Sequence, residues 1–430
     1  MPTTSKNAET IVLHAGYRCD PATNAVAVPI YQTTSYQFTD TGHAARLFGL
    51  QELGNIYTRL MNPTQNILEE RVTALEGGAA SLALASGQAA SMIAVQNITH
   101  AGDNFVASTD LYGGTWNLFL NTMKTMGIEV RFVDPADPEN FRRATDARTR
   151  CYYAETLPNP KLTVFPVADV ATIGRGLGVP LIMDNTAAPI LCRPMDHGAA
   201  IVLHSTTKYI GGHGTSIGGI IVDGGNFDWE KHADRFPMLN QPDPSYHGAV
   251  WTQAVKPLGP IAYILKARVT LLRDVGPAMS PFNAFMFIQG LETLPLRMRQ
   301  QCSNAIAVAK RLAEHPKVTN VIFPGAMSGE AKRRADMYFK GGYGGLVGFE
   351  LKEGLEAGKR FIDALTMFYH VANIGDARSL AIHPASTTHS QLSPEEQLQT
   401  GVSEGYVRLS LGIEHIEDIV ADLDQALAAA

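Results

Sequence analysis

Short apolar runs and amphipathic stretches take turns along the middle of the chain. Asn66 to Leu75 sets Ile67, Leu68, Val72 and Leu75 at helical spacing and stops at Gly77-Gly78, which predicts a helix ended by glycine. Ser81 to Ala85, Asn104 to Ser108, Glu129 to Val133, Arg150 to Ala154 and Leu181 to Met183 are short runs that predict strands. Helical or turn-rich stretches separate them, among them a small-residue helix over Ala89 to Ile98. Strands alternating with helices predict βαβ units and a mostly parallel sheet covered on both faces.

The flanks read differently. Residues 1–62 show little helical periodicity and many turn formers, and are expected to form an N-terminal arm that leans on a neighbour. Residues 63–259 make the large α/β domain, which includes a dense glycine loop over His204 to Gly219 and a strand over Gly219 to Asp223. Residues 224–258, rich in Pro, Gly and aromatics, read as a long excursion over the surface. Residues 260–430 are expected to form a smaller α+β domain, with strands over Val318 to Phe323 and Gly345 to Leu351. Its closing helix shows one apolar face at Ile416, Ile419, Val420, Leu423 and Leu427.

Composition narrows the class. With 35 basic and 41 acidic side chains in 430 residues the net charge is −6, which argues against a nucleic-acid or anionic-membrane partner. No apolar run approaches a membrane span, and the polar stretch Met1 to Thr10 has no secretory h-region. Cys19, Cys151, Cys192 and Cys302 lie far apart and form no CxxC, so neither a disulfide frame nor a zinc site is expected. A cytoplasmic enzyme with small-molecule substrates is the expectation.

Several common signatures are absent: GxGxxG, GxxxxGK[ST] and HExxH. Gly174-Arg-Gly-Leu-Gly178 precedes an apolar strand instead of following one, and reads as a helix end. Gly214-Thr-Ser216-Ile-Gly218 fits GxSxG, the mark of a serine esterase. A nucleophile elbow needs a strand before the serine and a helix after it; here a glycine loop precedes and a β-like run follows.

Three other pieces work together. Val179 to Asp184 is an apolar run that delivers an aspartate where open α/β sheets place ligands. His204-Ser-Thr-Thr-Lys208-Tyr sets an amine beside hydroxyls and ahead of Gly211-Gly212. Ser86-Gly87-Gln88 lies between strand and helix, where backbone N–H groups face an anion. Pyridoxal phosphate needs an imine-forming lysine, an acid for its ring nitrogen and a phosphate cup.

From about Thr10 to Ala421 the chain resembles the cysteine/methionine-metabolism family of fold-type I pyridoxal-phosphate enzymes, which includes cystathionine γ-synthases and methionine γ-lyases. The resemblance rests on Tyr57-Thr-Arg59-Leu-Met-Asn-Pro-Thr64, Ser86-Gly-Gln88, Tyr112-Gly-Gly, Glu155-Thr-Leu-Pro-Asn159-Pro, Asp184-Asn-Thr186, Ser205-Thr-Thr-Lys-Tyr-Ile-Gly-Gly212 and Arg408-Leu-Ser-Leu-Gly-Ile-Glu414. It implies that Lys208 holds the cofactor covalently and shuttles protons, and that Asp184 keeps the ring nitrogen protonated. Ser205, Thr207 and the N–H groups of Gly87 and Gln88 are then the phosphate cup, with Tyr112 stacked on the ring. Asn159 and Thr186 would support the cofactor, with Asn159 also near substrate. Arg408 and Ser379 would bind substrate, Arg408 gripping its α-carboxylate as a two-bond fork. Tyr57 and Arg59 would reach the cofactor phosphate of a neighbouring subunit, which implies a homo-oligomer, a dimer at least and a tetramer by expectation.

Departures point to a branch. Asp376-Ala-Arg378-Ser379 stands where γ-synthases carry a glutamate before the serine, and Tyr112 is not followed by the cysteine of methionine γ-lyases. Asn373 to Leu380, Ile382 to His389 and Gly211 to Ser216 look most like O-acetylhomoserine sulfhydrylases. The expected reaction is therefore γ-replacement on O-acetyl-L-homoserine by sulfide or a thiol. Methionine γ-lyase or cystathionine γ-synthase activity is the alternative within the family, and a Ser216 esterase the alternative outside it.

Overall fold

The computed structural model describes residues 5–388, 390 and 393–430; His389, in the last of the branch motifs, lies outside them. Seven strands build the first sheet: β1 Ala80–Leu84, β2 Asn104–Ser108, β3 Glu129–Val133, β4 Thr149–Glu155, β5 Leu181–Asp184, β6 Ile201–His204 and β7 Gly219–Asp223. Their order is β1-β7-β6-β5-β4-β2-β3. Strands β2 to β6 run parallel, while β7 is antiparallel to both β6 and β1. The ends of β1, β4, β5 and β6 and the start of β7 therefore meet at one edge, where Ser86, Glu155, Asp184, Ser205 and Gly218 come together.

Helices cover both faces, which is why the central strands are apolar throughout rather than alternating. One face receives Leu68 and Val72 from the helix Pro63–Glu76, Val170 from Val167–Leu177, and Phe287 and Ile288 from Pro281–Glu292. The other receives Ile93 and Ala94 from Gly87–Gln96 and Tyr263 and Leu265 from Ala262–Ala267. The helix Pro63–Glu76 ends at Gly77 with φ +72°, and Val167–Leu177 ends at Gly178 with φ +68°, both left-handed positions suited to glycine. The glycine-rich stretch ending at Gly178 is thus a helix end, as its position before the strand predicts.

A second sheet contains β8 Val318–Ile322, β9 Leu346–Leu351, β10 Tyr369–His370, β11 Leu380–Ile382 and β12 Tyr406–Ser410, in the order β10-β11-β12-β9-β8. Helices Leu294–Ala313, Gly354–Ala364 and Ile416–Ala429 pack on it through Val308, Leu312, Phe361, Ile419 and Leu423. The architecture is α/β with a large, mostly parallel sheet and a smaller second sheet, as expected.

Three details add to the sequence reading. The arm contains two helices, Ala8–His14 and Thr41–Phe48; the first buries Ile11 and Val12, and the second is capped by Asp40, which accepts from His43 N. The stretch 224–258 runs over the surface but is pinned down by buried aromatic side chains. Trp229, Phe236 and Trp251 are buried there, with Trp229 stacked on Tyr263 at 5.4 Å. Full burial of each such side chain contributes roughly 1.5–3 kcal/mol, which explains an ordered path without periodicity. Residues 262–302 supply Tyr263, Leu272, Phe287 and Met298 to the cores around the large sheet. No helix among the described residues is long and apolar enough to cross a membrane.

Candidate active site

The anion end of the site is backbone. Ser86 caps the helix Gly87–Gln96 by accepting from Ala89 N at 3.1 Å, and the first N–H groups of the helix lack intrahelical partners. A side chain at Gly87 would place its Cβ 2.6 Å from the Ser205 Cβ. Glycine there lets the helix end and the Ser205 loop close into one cup. Ser205 N donates to Thr186 Oγ1 at 2.7 Å, and Thr207 Oγ1 accepts from Gly218 N at 3.1 Å, which fixes both hydroxyl-bearing residues on the rim.

Next to the cup stand two buried acids on neighbouring strands. Glu155 and Asp184 face each other across the β4–β5 ladder. Asp184 accepts from Thr186 N at 2.9 Å, and Glu155 Oε1 accepts from Tyr112 N at 2.6 Å. Burial raises the proton affinity of both, and the negative charge of Asp184 raises that of Glu155 further, well above the carboxylate range. The tendency to hold a proton is thus raised at both carboxyls and is the stronger at Glu155. The Tyr112 ring is 55% exposed and folds back over Gly114, where a Cβ would collide with the ring 2.5 Å away. Asn159 precedes a cis peptide bond to Pro160, and its Oδ1 is buried without a partner.

The cation end joins the two sheets. Lys208 is half-buried, and its Nζ donates to Asn373 Oδ1 at 2.5 Å. Burial, then the nearby Arg408 charge, lowers its proton affinity, which favours a neutral, nucleophilic amine. Arg408, on β12, is buried; it donates to the Asn373 carbonyl at 2.8 Å, and its Nε has no partner. Asn373 thus holds the lysine through its side chain and the arginine through its backbone.

The family described as Cys/Met metabolism PLP-dependent enzyme matches residues 9–428. The chain belongs to that family. Pyridoxal phosphate is accordingly its cofactor. Among curated relatives of the family, the chain is 56% identical to O-acetyl-L-homoserine sulfhydrylase of Leptospira meyeri, covering 97% of this chain and 96% of that protein. It is 48% identical to homocysteine synthase of Schizosaccharomyces pombe over 100% of both chains. A crystal structure of a putative O-acetylhomoserine (thiol)-lyase from Campylobacter jejuni, containing a pyridoxyl-lysine monophosphate, superposes with a TM-score of 0.94 at 40% identity. That match covers 98% of this chain and 100% of the other.

The residues present fit the family's cofactor. The Gly87–Ser205 cradle, the Asn159 Oδ1 with no partner among the described residues and the Asp184 carboxyl are complementary in chemistry to a phosphate, a polar ring substituent and a ring nitrogen that carries a proton.

Not every expected residue converges on this edge. Tyr57 and Arg59 line a separate open groove of about 390 Å³ with Gln32, Thr34 and Gly276. There the Arg59 guanidinium lies 5.2 Å from the Tyr57 ring centre, and neither side chain bonds to the cup among the described residues. Ser379 is buried, with its hydroxyl donating to Glu414 at 2.8 Å and accepting from Gly412 N at 2.9 Å. Its backbone N–H goes to Glu414 and its carbonyl to Tyr369 N. Ser379 thus bonds within the small sheet and to Gly412 and Glu414, just beyond β12, which carries Arg408. Ser216 sits in a loop that leads into β7 with no helix behind it, the wrong setting for a nucleophile elbow. Sequence reasoning assigned no role to Glu155 or Asn373.

Proposed function

We propose that the chain catalyses γ-replacement on O-acetyl-L-homoserine with sulfide, giving L-homocysteine and acetate. The observation that carries this reading is the meeting of the Lys208 amine and the Arg408 guanidinium on Asn373, beside an anion cup and the Asp184 carboxyl at the end of β5. The relatives named for O-acetylhomoserine and homocysteine supply the substrate class.

In this reading Gly87, Gln88, Ser205 and Thr207 hold the cofactor phosphate, Tyr112 stacks on the ring, and Asn159 and Thr186 support it. Asp184 keeps the ring nitrogen protonated. Pyridoxal phosphate, when bound, spreads the negative charge that builds up on the substrate carbons. Arg408 offers its unpaired donors to the α-carboxylate, which aligns the amino acid by a planar fork. With the cofactor held there, the Lys208 amine would take the α-proton and then a β-proton, the γ-carbon–oxygen bond would break with loss of acetate, sulfide would form the new carbon–sulfur bond, and Lys208 would return both protons to the β- and α-carbons. Asn373 Oδ1, by accepting one Lys208 N–H, turns the lone pair of that amine toward the carbons.

The same reading makes the assembly a homo-oligomer, a dimer at least. Tyr57 and Arg59 sit apart from the cup of their own chain and are free to serve the phosphate of a neighbour. Cytoplasmic residence is part of the proposal, in keeping with four cysteines that are all free thiols.

The test is steady-state turnover of the purified enzyme with O-acetyl- and O-succinyl-homoserine, each with sulfide and with cysteine. Homocysteine formed fastest from the acetyl ester and sulfide is expected. Faster 2-oxobutyrate release without any thiol, or preference for the succinyl ester, would overturn the reading.

A further inference from the structure

Glu155 touches the site without belonging to the cofactor cup. Its Oε1 accepts from Tyr112 N, and its carboxyl also accepts the Asn159 backbone N–H. One side chain therefore fastens two different segments. The first opens the short helix Gly113–Asn117 directly after Tyr112, and the second contains Asn159. Those two segments are already tied to each other farther out, where Lys161 Nζ meets Asp110 Oδ1 at 2.6 Å. The chain does not need Glu155 merely to keep them together. What Glu155 adds is reach: it stands at the end of β4, level with Asp184 on β5, so it sets ring-stacking residue and amide against the same reference point as the acid.

We infer that Glu155 is a positioning residue, which sets Tyr112 and Asn159 against the cofactor ring held by Asp184. This rests on the reading of the edge as a pyridoxal-phosphate site. The geometry points to acceptor reach: Oε1 meets Tyr112 N at 2.6 Å, while burial and the charge of Asp184 both work against a negative charge on Glu155. A neutral isostere keeps an acceptor in place, whereas a carboxylate one methylene shorter withdraws it.

The test compares Glu155→Gln with Glu155→Asp as holoenzymes. Glu155→Gln is expected to stay within about threefold of the parent in kcat. Glu155→Asp, which displaces the acceptor by about 1 Å, is expected to lose on the order of 100-fold in kcat with little change in KM. Two readouts do not depend on turnover. The circular dichroism of the cofactor band should change in Glu155→Asp and not in Glu155→Gln. Amide exchange in the peptide covering residues 109–117 should accelerate in Glu155→Asp alone. Equal impairment of both variants would show that charge matters, and unchanged dichroism and exchange in Glu155→Asp would show that reach does not; either overturns the inference. Failure of the reaction assignment shows separately, as a parent enzyme that forms no homocysteine while dichroism and exchange still respond.

Discussion

Two buried arginines, one on each side of the site, differ in what they leave undone. Arg297, on the helix Leu294–Ala313, donates to the carbonyls of Tyr209 at 2.7 Å, Ile210 at 3.3 Å and Gly290 at 2.6 Å, and to Thr293 Oγ1 at 3.2 Å. It closes the loop that follows Lys208 onto the helix Pro281–Glu292. Arg408 is also buried, yet among the described residues its one printed acceptor is the Asn373 carbonyl and its Nε has no partner. Burial weakens the proton affinity of both, that of Arg297 down to about 10. A guanidinium that spends four of its five donors on the chain is a structural clamp. One that keeps donors in reserve is poised for an acceptor from outside, because unmade hydrogen bonds in a dry site are costly.

The comparison can be broken at either arginine. The largest effect is expected from Arg408→Met. Truncating one partner of a buried hydrogen-bonded charge pair costs about 2–5 kcal/mol, so kcat/KM should fall by roughly 30-fold to several thousandfold. Thermal stability should hold or rise, since an underpaired buried cation is removed. A loss below tenfold, by steady-state kinetics, would mean the α-carboxylate binds elsewhere. Arg297→Met should do the reverse. Three carbonyls lose their donor at about 1–3 kcal/mol each if left unpaired, so the midpoint of thermal unfolding should drop by several degrees. In the folded holoenzyme KM for O-acetylhomoserine should move far less than in Arg408→Met; a matching rise in KM would erase the distinction.

The smallest effect sharpens the electrostatic side. The Arg408 charge helps to lower the proton affinity of Lys208. Arg408→Gln removes that repulsion, the lysine holds its proton to higher pH, and less neutral amine is present at a given pH. The acidic limb of the rate of cofactor attachment to apoenzyme should therefore move to higher pH. A limb that stays in place or moves down would exclude coupling between the two cations.

Much of this was legible in the chain itself, for identifiable reasons. The β2 and β3 strands fall where their apolar runs begin and end, because neighbouring turns punctuate them. The β6 strand was not read as a strand, since Ile201-Val-Leu203 is only three apolar residues between alanines and a polar motif. The burial of Trp229 is not legible for a related reason: its stacking partner Tyr263 is remote along the chain. Asp184 drew notice as an acid closing an apolar strand. Glu155 carries the same signal at the end of β4 and could have been found by it. Asn373 could not, because only the folding of the small sheet brings it to Lys208.

The contact between Lys208 and Asn373 spans the two sheets, and that division has a consequence for how a molecule matures. The cup and Lys208 come from the large layer, while Arg408 and Asn373 come from the small one. A molecule whose small layer is loosened can still acquire the yellow colour of bound cofactor, yet has no hold on an amino acid. Colour and competence are therefore separate milestones, and a preparation can be fully pigmented while part of it is idle.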